Sequence, residues 1–516
     1  MTAGTSVALI SQTSWTTVSH DLTSFLAPVT GMVQGTSGLY ADYFNVTPPG
    51  VHLVLLPWVW AFGPGIGSMY ALHSLFIAGH QTALYLALRK WLTRLHAATI
   101  LAVASIVAIS YRVFSDMLLT TELVGNILVF LGVVITPFTS HEFRLKRWAS
   151  GLALVSFAVL VREVYIFAPI LVALAFLWKF RQNPHARSAF IRLVAWATLL
   201  AASPVVVLLL TFEGLGPYLH VLRLKRTLFP PPDFLRILLS PIQMAPAIVK
   251  MWPSLALVSL LVFVTITPTH RRFLVKVALG VAIVVTIFSA AFTWQNKPVY
   301  GHYAASLLPL LSGFLTIPFV VLEKLAWRLP KILTLALLLL PLNFADTASE
   351  VRGLQTPRTW WNSTLGIDRV ETTPLNEVPD HGCSQVVYGW NPGAYYIAND
   401  TIPCSKYFLI NLIERSPPHL TEYILEILAQ PPATVIYQPA SADVLYLEPK
   451  RFEQVVFPWR SALNACYRQV TEVKFTLMMS ESATRSCLIK LAENSLFQHL
   501  IIAELSLEEI LSGEGA

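Results

Sequence analysis

Between residues 67 and 345 the chain alternates long apolar runs with short polar connections, and few folds accept that pattern. The runs lie near 67–88, 95–112, 117–138, 148–162, 164–180, 193–212, 250–268, 273–293, 303–322 and 331–345. A helix needs about 20 apolar residues to cross a bilayer, with tolerance for tilt and local thinning. Each run therefore spans a membrane or nearly does. Only 13% of the residues are charged, against about 25% in a usual soluble chain. The deficit is uneven, because residues 346–516 have a globular composition. The expected architecture is an α-helical polytopic membrane protein of about 10–11 spans. A C-terminal extracytoplasmic α/β domain follows it. Residues 1–66 form a first outer segment, 67–345 the spanning region, and 346–516 the soluble domain.

The connections alternate in charge. Basic groups fall at Arg89, Lys90 and Arg94, then at Arg144, Lys146 and Arg147, then at Lys179, Arg181, Arg187 and Arg192. Further clusters are Arg271, Arg272 and Lys276, and Lys324, Arg328 and Lys331. Every second connection is basic, which assigns those loops to the cytoplasm and the others to the outside. The net charge of +7 is explained by these clusters, and no nucleic-acid signature accompanies them.

The cysteines give an independent reading. Cys383, Cys404, Cys466 and Cys487 all lie in the soluble tail. An even count confined to one domain fits two disulfides in an oxidising compartment. Spacing favours Cys383–Cys404 and Cys466–Cys487, although three pairings, or four buried thiols, are open from the sequence alone. The same loop count puts residues 1–66 outside. Residues 1–20 contain neither a span nor a signal-peptide pattern, so either the segment is translocated without one or a first helix is encoded upstream; the second is the expectation.

Ionisable groups inside or against spans are costly and mark function by default. On this topology they gather at the outer face. Asp21 and Asp42 lie in the first outer segment; Arg112, Asp116 and Glu122 flank the next outer turn. Arg162 and Glu163 form the turn of a helical hairpin, and the long connection 213–249 carries His220, Arg223, Lys225 and Arg226. Lys297, His302 and Tyr303 belong to the last outer turn. Wet loops carry charge anyway, but short turns holding both signs describe a cavity suited to an anionic lipid. Cations would hold its phosphate, and a carboxylate would remain for proton abstraction.

The stretch HDLTSFLAPVTGMVQGTSGLYADYFNVTPPGVHLVLLPWVWAFGPG resembles the first outer loop of the GT-C membrane glycosyltransferases. Within that superfamily it resembles the bacterial protein-mannosyltransferase and lipid A aminoarabinose-transferase relatives. Asp21, then Gly38, Tyr40 and Asp42, then Pro48–Pro49 and Phe62–Gly63 follow in the family's order. TTELVGNILVFLG and GHYAASLLPLL resemble two later family helices, and VVYGWNPGAYYIANDTIPCSKY resembles an appended outer domain. The two prolines lack N–H donors and force extended residues before them, which would end the loop sharply and hold Tyr40 and Asp42 at the interface.

The resemblance implies an inverting transfer of a sugar from a polyprenyl-phosphate donor to an extracytoplasmic acceptor. It implies Asp21 as base, with Asp42 or Glu122 as second acid, acceptor anchor or metal ligand. Tyr40, Arg162, Arg223, Lys225, Arg226, Lys297, His302 and Tyr303 would bind substrate. No cofactor is certain from the sequence; a divalent ion could be held by hard oxygen ligands, and nothing demands one. The rivals are a flippase for a polyprenyl-linked lipid or sugar, and a non-catalytic lipid-binding relative. Transporters keep polar groups near the midplane and often show repeats, and no repeat is evident here.

In the tail, SQVVYGW and ATVIYQP read as strands with the helical LTEYILEILAQ between them. NACYRQVTEVKFTLMM and ATRSCLIKLAE read as a later strand pair joined by a polar turn. Topology and cysteine pairing together predict that a membrane-impermeant thiol reagent labels intact cells in the tail only after reduction. Labelling without reductant, or only after lysis, would place the tail elsewhere.

Overall fold

The computed structural model describes residues 20–36, 38–43, 45, 47–89, 92–94, 97, 119–138, 144–228, 234–237, 239–242, 275, 279, 282–291 and 293 of the helical region. In the tail it describes 383–387, 396, 402–407, 419, 422–423, 426–427, 429–437, 465–472, 476–480 and 486–487. The runs 95–112 (apart from Ala97), 250–268, 303–322 and 331–345 lie outside these residues.

The helices are α1 (His20–Gln34), α2 (Gly50–Phe62), α3 (Ile66–Leu88), α4 (Thr121–Ile135) and α5 (Leu145–Val161). A 3-10 turn (Glu163–Ile166) leads to α6 (Phe167–Lys179), α7 (Ala186–Thr211) and α8 (Leu215–Leu228). A short α9 covers Ala282–Ala291. Among the described residues α7, at 26 residues, is long and apolar enough to cross a membrane, while α2, α4 and α9 are shorter apolar helices.

Two stretches read as outer loops contain helices. The first outer segment holds α1 and α2, and the connection 213–249 begins with α8. In α1 the reason was legible. Leu22, Phe25, Leu26, Val29 and Met32 recur at helical spacing and are all buried; Thr, Gly and Pro between them hide the stripe. Pro28 sits inside α1 and cannot donate to the carbonyl four residues back. That carbonyl, on Ser24, accepts instead from Asn45 Nδ2 at 3.1 Å.

The helical core is layered. α4 packs along α5, and α5 along α7. The α4–α5 crossing is close: a Cβ on Gly151 would lie 2.0 Å from Thr136 Oγ1 and 2.8 Å from the Gly132 carbonyl oxygen. Trp148 fills the adjoining space, edge-on to Phe176 and Phe138. The Pro-Pro segment does not simply turn the chain. Pro48 and Pro49 are buried, Pro49 caps α2, and a Cβ on Gly50 would lie 2.5 Å from the Leu160 carbonyl oxygen. The motif thus docks α2 onto the end of α5.

The tail carries a four-stranded mixed sheet in the order β1-β2-β4-β3. These strands are Ser384–Val387, Thr434–Tyr437, Tyr467–Glu472 and Thr476–Ser480, numbered β1 to β4 in chain order. β1 runs parallel to β2, and β4 is antiparallel to both β2 and β3. The strands expected in SQVVYGW and ATVIYQP are β1 and β2, and the described residues of LTEYILEILAQ are helical apart from Gln430. The later pair is displaced. β3 lies within NACYRQVTEVKFTLMM and β4 begins in it and ends one residue beyond, at Ser480, while Ser486 and Cys487 of ATRSCLIKLAE are helical. The first stretch was too long for one strand, since strands usually run about 5–6 residues. Disulfides join Cys383 to Cys404 and Cys466 to Cys487, the pairing that spacing favoured.

Asn45→Ala removes the donor that covers the Ser24 carbonyl and should cost about 1–3 kcal/mol of stability. Adding Pro28→Ala restores an intrahelical N–H at that carbonyl, so thermal melting of the double variant should recover. A double variant no more stable than Asn45→Ala would refute this account of the proline.

Candidate functional site

Three segments meet beside the ends of α5 and α7. They are the loop 38–49, the turn 162–166, and the first turns of α8. The N-terminus of α4 closes the group.

The turn carries the strongest electrostatic feature. Arg162 Nη2 lies 2.9 Å from Glu122 Oε1, and the two side chains are 8% and 4% exposed. Glu122 enters from the first turn of α4, where Thr120 caps the helix by accepting from the Leu123 N–H at 3.3 Å. Thr121 Oγ1 donates to Glu122 Oε2 at 3.0 Å. An acidic side chain also suits a helix N-terminus. Tyr165, from the same turn as Arg162, donates its hydroxyl to the Glu122 carbonyl at 2.6 Å. Its ring occupies the space over Gly125, where a Cβ would lie 2.0 Å from the ring. The TTELVGN stretch therefore has a physical logic: a cap, an acid to receive arginine, and a glycine to receive tyrosine.

Tyr40 is the centre of the loop. It is buried with φ +65°, a left-handed backbone that a bulky residue rarely adopts. Its hydroxyl donates to the Thr47 carbonyl at 2.6 Å. Its ring lies 5.0 Å from Tyr218 of α8 and 5.7 Å, edge-on, from His52 of α2. Burial, then the Tyr218 and Glu163 groups, push its phenol well above the ordinary range. Burial and the Glu163 charge likewise push Tyr218 up to about 12. Both phenols are therefore neutral donors at physiological pH, and the Glu163 carboxylate lies within electrostatic reach of both.

Asp42 is exposed, and its Oδ2 accepts from the Gly38 N–H at 2.5 Å within the loop. The next residue, Tyr43, is buried and meets Tyr396 of the tail edge-on at 6.5 Å. A second junction joins α8 to the tail, where His220 lies 5.9 Å from His419. Behind His419, Tyr407 and Lys406 bond to Glu422, and Lys406 also lies 3.4 Å from Glu426. Burial raises the Glu422 carboxyl, but the bonds from Lys406 and Tyr407 outweigh it and leave it below its usual range.

Of the residues expected from sequence, the structure brings together Tyr40, Glu122 and Arg162 around this junction. Arg223 is exposed on α8. Asp21 lies in the first turn of α1 and Lys225 and Arg226 in the last turn of α8, but their side chains lie outside the described residues. Arg112, Asp116, Lys297, His302 and Tyr303 lie wholly outside them. Sequence reading passed over Tyr218, which only the helical phase of α8 brings to Tyr40. It also passed over His52, which is fully buried with neither ring nitrogen hydrogen-bonded among the described residues. An ionisable residue in VHLVLLPW was a signal. Among the described residues no cluster of three or more His, Cys, Asp or Glu side chains could hold a metal ion.

No family model and no curated protein matches the chain. Solved structures do. ArnT from Cupriavidus metallidurans bound to undecaprenyl phosphate is 13% identical, with a TM-score of 0.58 over 93% of this chain and 97% of that one. The apo form of that protein is 12% identical, with a TM-score of 0.61 over 93% and 96%. At such identity the likeness is one of fold. The chain has an ArnT-like fold, in agreement with the resemblance read from its sequence.

Breaking a buried pair by removing one partner usually costs about 3–5 kcal/mol. Glu122→Gln and Arg162→Met should each destabilise on that scale, and the double variant should be less unstable than the two losses summed. Single losses below about 1 kcal/mol, the value of an exposed pair, would show that water reaches this pair.

Proposed function

We propose that the protein is an inverting glycosyltransferase that takes a sugar from a polyprenyl-phosphate donor and gives it to an extracytoplasmic acceptor. The observation that carries this reading is the fold match, over nearly the whole chain, to a protein that binds undecaprenyl phosphate. The placement of Tyr40, Glu122 and Arg162 in one junction supports it.

In this reading the acceptor hydroxyl gives its proton to Asp21 as its oxygen attacks the anomeric carbon. The bond from that carbon to the phosphate oxygen breaks, and polyprenyl phosphate leaves. A positioned base of this kind is worth about 10²–10⁴ in rate. Arg223, Lys225 and Arg226, with Lys297 and His302, would hold the leaving phosphate, whose growing charge needs cations. Tyr303 completes the binding set. Glu122 has a changed part. Its carboxylate is engaged by Arg162, so the pair positions the turn that carries Glu163 next to Tyr40 and Tyr218. Asp42 anchors its own loop through Gly38. Any divalent ion would draw on Asp21 or Glu163 rather than on Glu122.

The test uses the full chain in detergent with a panel of polyprenyl-phosphate hexoses and pentoses, reading release of polyprenyl phosphate. Release with at least one donor is expected, and Asp21→Asn should lower turnover about 10²–10⁴-fold while undecaprenyl phosphate still binds. Near-normal turnover in Asp21→Asn would move the base elsewhere, with Asp42→Asn the next variant to examine. Binding without release would favour the non-catalytic relative. Lipid movement across liposomes without release would favour the flippase.

A further inference from the structure

At the opposite end of α6 from the candidate site, a cavity of about 970 Å³ opens beside the segment that follows α4. Its walls include Phe138, Leu174, Trp178, Lys179, Arg181 and Gln182, with no carboxylate among the described lining residues. Lys179 Nζ donates to the carbonyls of Pro137, at 3.3 Å, and Phe138. Its ammonium has three donors, so one remains. The Arg181 guanidinium lies 4.3 Å over the Trp178 ring. Among the described residues no carboxylate or carbonyl meets its N–H groups. Basic residues at a helix C-terminus complement the helix dipole, and Lys179 does so. Arg181 lies past the helix end, stacked on Trp178, with no partner for its donors among the described residues.

The second observation concerns α6 itself. Phe167, Ile170, Leu171, Leu174 and Trp178 follow one another at helical spacing and are exposed, from 43% at Phe167 to 71% at Trp178. They make a continuous apolar stripe along one side of the helix. Leu174 and Trp178 belong both to the stripe and to the cavity wall. A ligand filling the cavity thus meets two cations at one end and an apolar track leading away from them. A soluble anion uses the first feature and not the second.

We propose that this cavity binds an anionic phospholipid, with its phosphate on Arg181 and Lys179 and an acyl chain along Leu174 and Ile170. Paired cations with no carboxylate among the described lining residues favour a net negative headgroup over a zwitterionic one, and basic pockets between membrane helices suit such headgroups. Trp178 lies at the boundary of the two regions, where amphipathic aromatic rings belong. The cavity lies among the basic connections, on the face assigned to the cytoplasm, so this lipid occupies the leaflet away from the proposed donor site. The site is independent of the proposed activity.

The test is native mass spectrometry of the full chain in detergent, titrated with phosphatidylglycerol or phosphatidylcholine. A phosphatidylglycerol adduct is expected to persist where the phosphatidylcholine adduct is lost. Arg181→Gln should weaken phosphatidylglycerol binding about fivefold or more, the effect of one basic group near a lipid headgroup. Arg181→Lys should retain part of the affinity. Arg94→Gln, in another basic connection, should change nothing. Melting temperatures check that each variant is folded, since Arg181 is exposed and its loss should not unfold the chain. Equal binding of the two lipids, an unaltered Arg181→Gln, or displacement of the lipid by millimolar inorganic phosphate would each overturn the proposal.

Discussion

Arg162 cannot be buried without Glu122. A guanidinium at 8% exposure needs an opposite charge at hydrogen-bond distance, or its desolvation is uncompensated. The partner comes from another helix, and that fixes geometry. The pair pins the end of α5 to the start of α4, and Tyr165 adds a hydrogen bond to the Glu122 carbonyl from the same turn. Such a pair contributes little net stability against apolar residues of equal volume. What it supplies is a single arrangement of the turn. Glu163, the neighbour of Arg162 in sequence, is then held within electrostatic reach of Tyr40 and Tyr218.

The loop 38–49 is held by comparable over-determination. Tyr40 keeps a left-handed backbone, a conformation that persists in a bulky residue only when its surroundings enforce it. Here the surroundings are the Thr47 carbonyl, the His52 and Tyr218 rings, and Asn45, which bridges to α1 through the carbonyl that Pro28 leaves open. Strained backbone held by packing is a usual property of sites that must be preorganised. The same loop touches the tail through Tyr43 and Tyr396, and α8 touches it through His220 and His419. The C-terminal tail is therefore in contact with the elements that carry the candidate site.

Among the described residues of the helical region many large apolar side chains are exposed. Exposed side chains such as Trp60, Leu171, Val207 and Leu210 would be a liability in water as contiguous patches. Under the proposed membrane location, a bilayer would cover them. The α6 stripe is part of that surface, and its basic end turns a general property into a local one.

How much was legible from the sequence depended on whether a residue's role is periodic or relational. Apolar periodicity and length were sufficient for α3, α4, α5, α6 and α7, because burial in lipid or in a helix core imposes a pattern along the chain itself. Cysteine number and spacing were sufficient to favour the two disulfides, since short separations close readily. The motif order Asp21, Tyr40, Asp42, Pro48–Pro49 was sufficient to expect the fold that the structural likeness then showed. Helix α1 was written in the same periodic terms but was masked by its Thr, Gly and Pro residues. The relational features were not legible. Glu122 and Arg162 are forty residues apart in sequence, and nothing local to either announces the other. Tyr218 reaches Tyr40 only because α7 and α8 fold back on the first loop. The reason is physical: a periodic pattern is set by the solvent each face meets, whereas an ion pair or ring contact is set by which helices pack, and only the tertiary structure decides that.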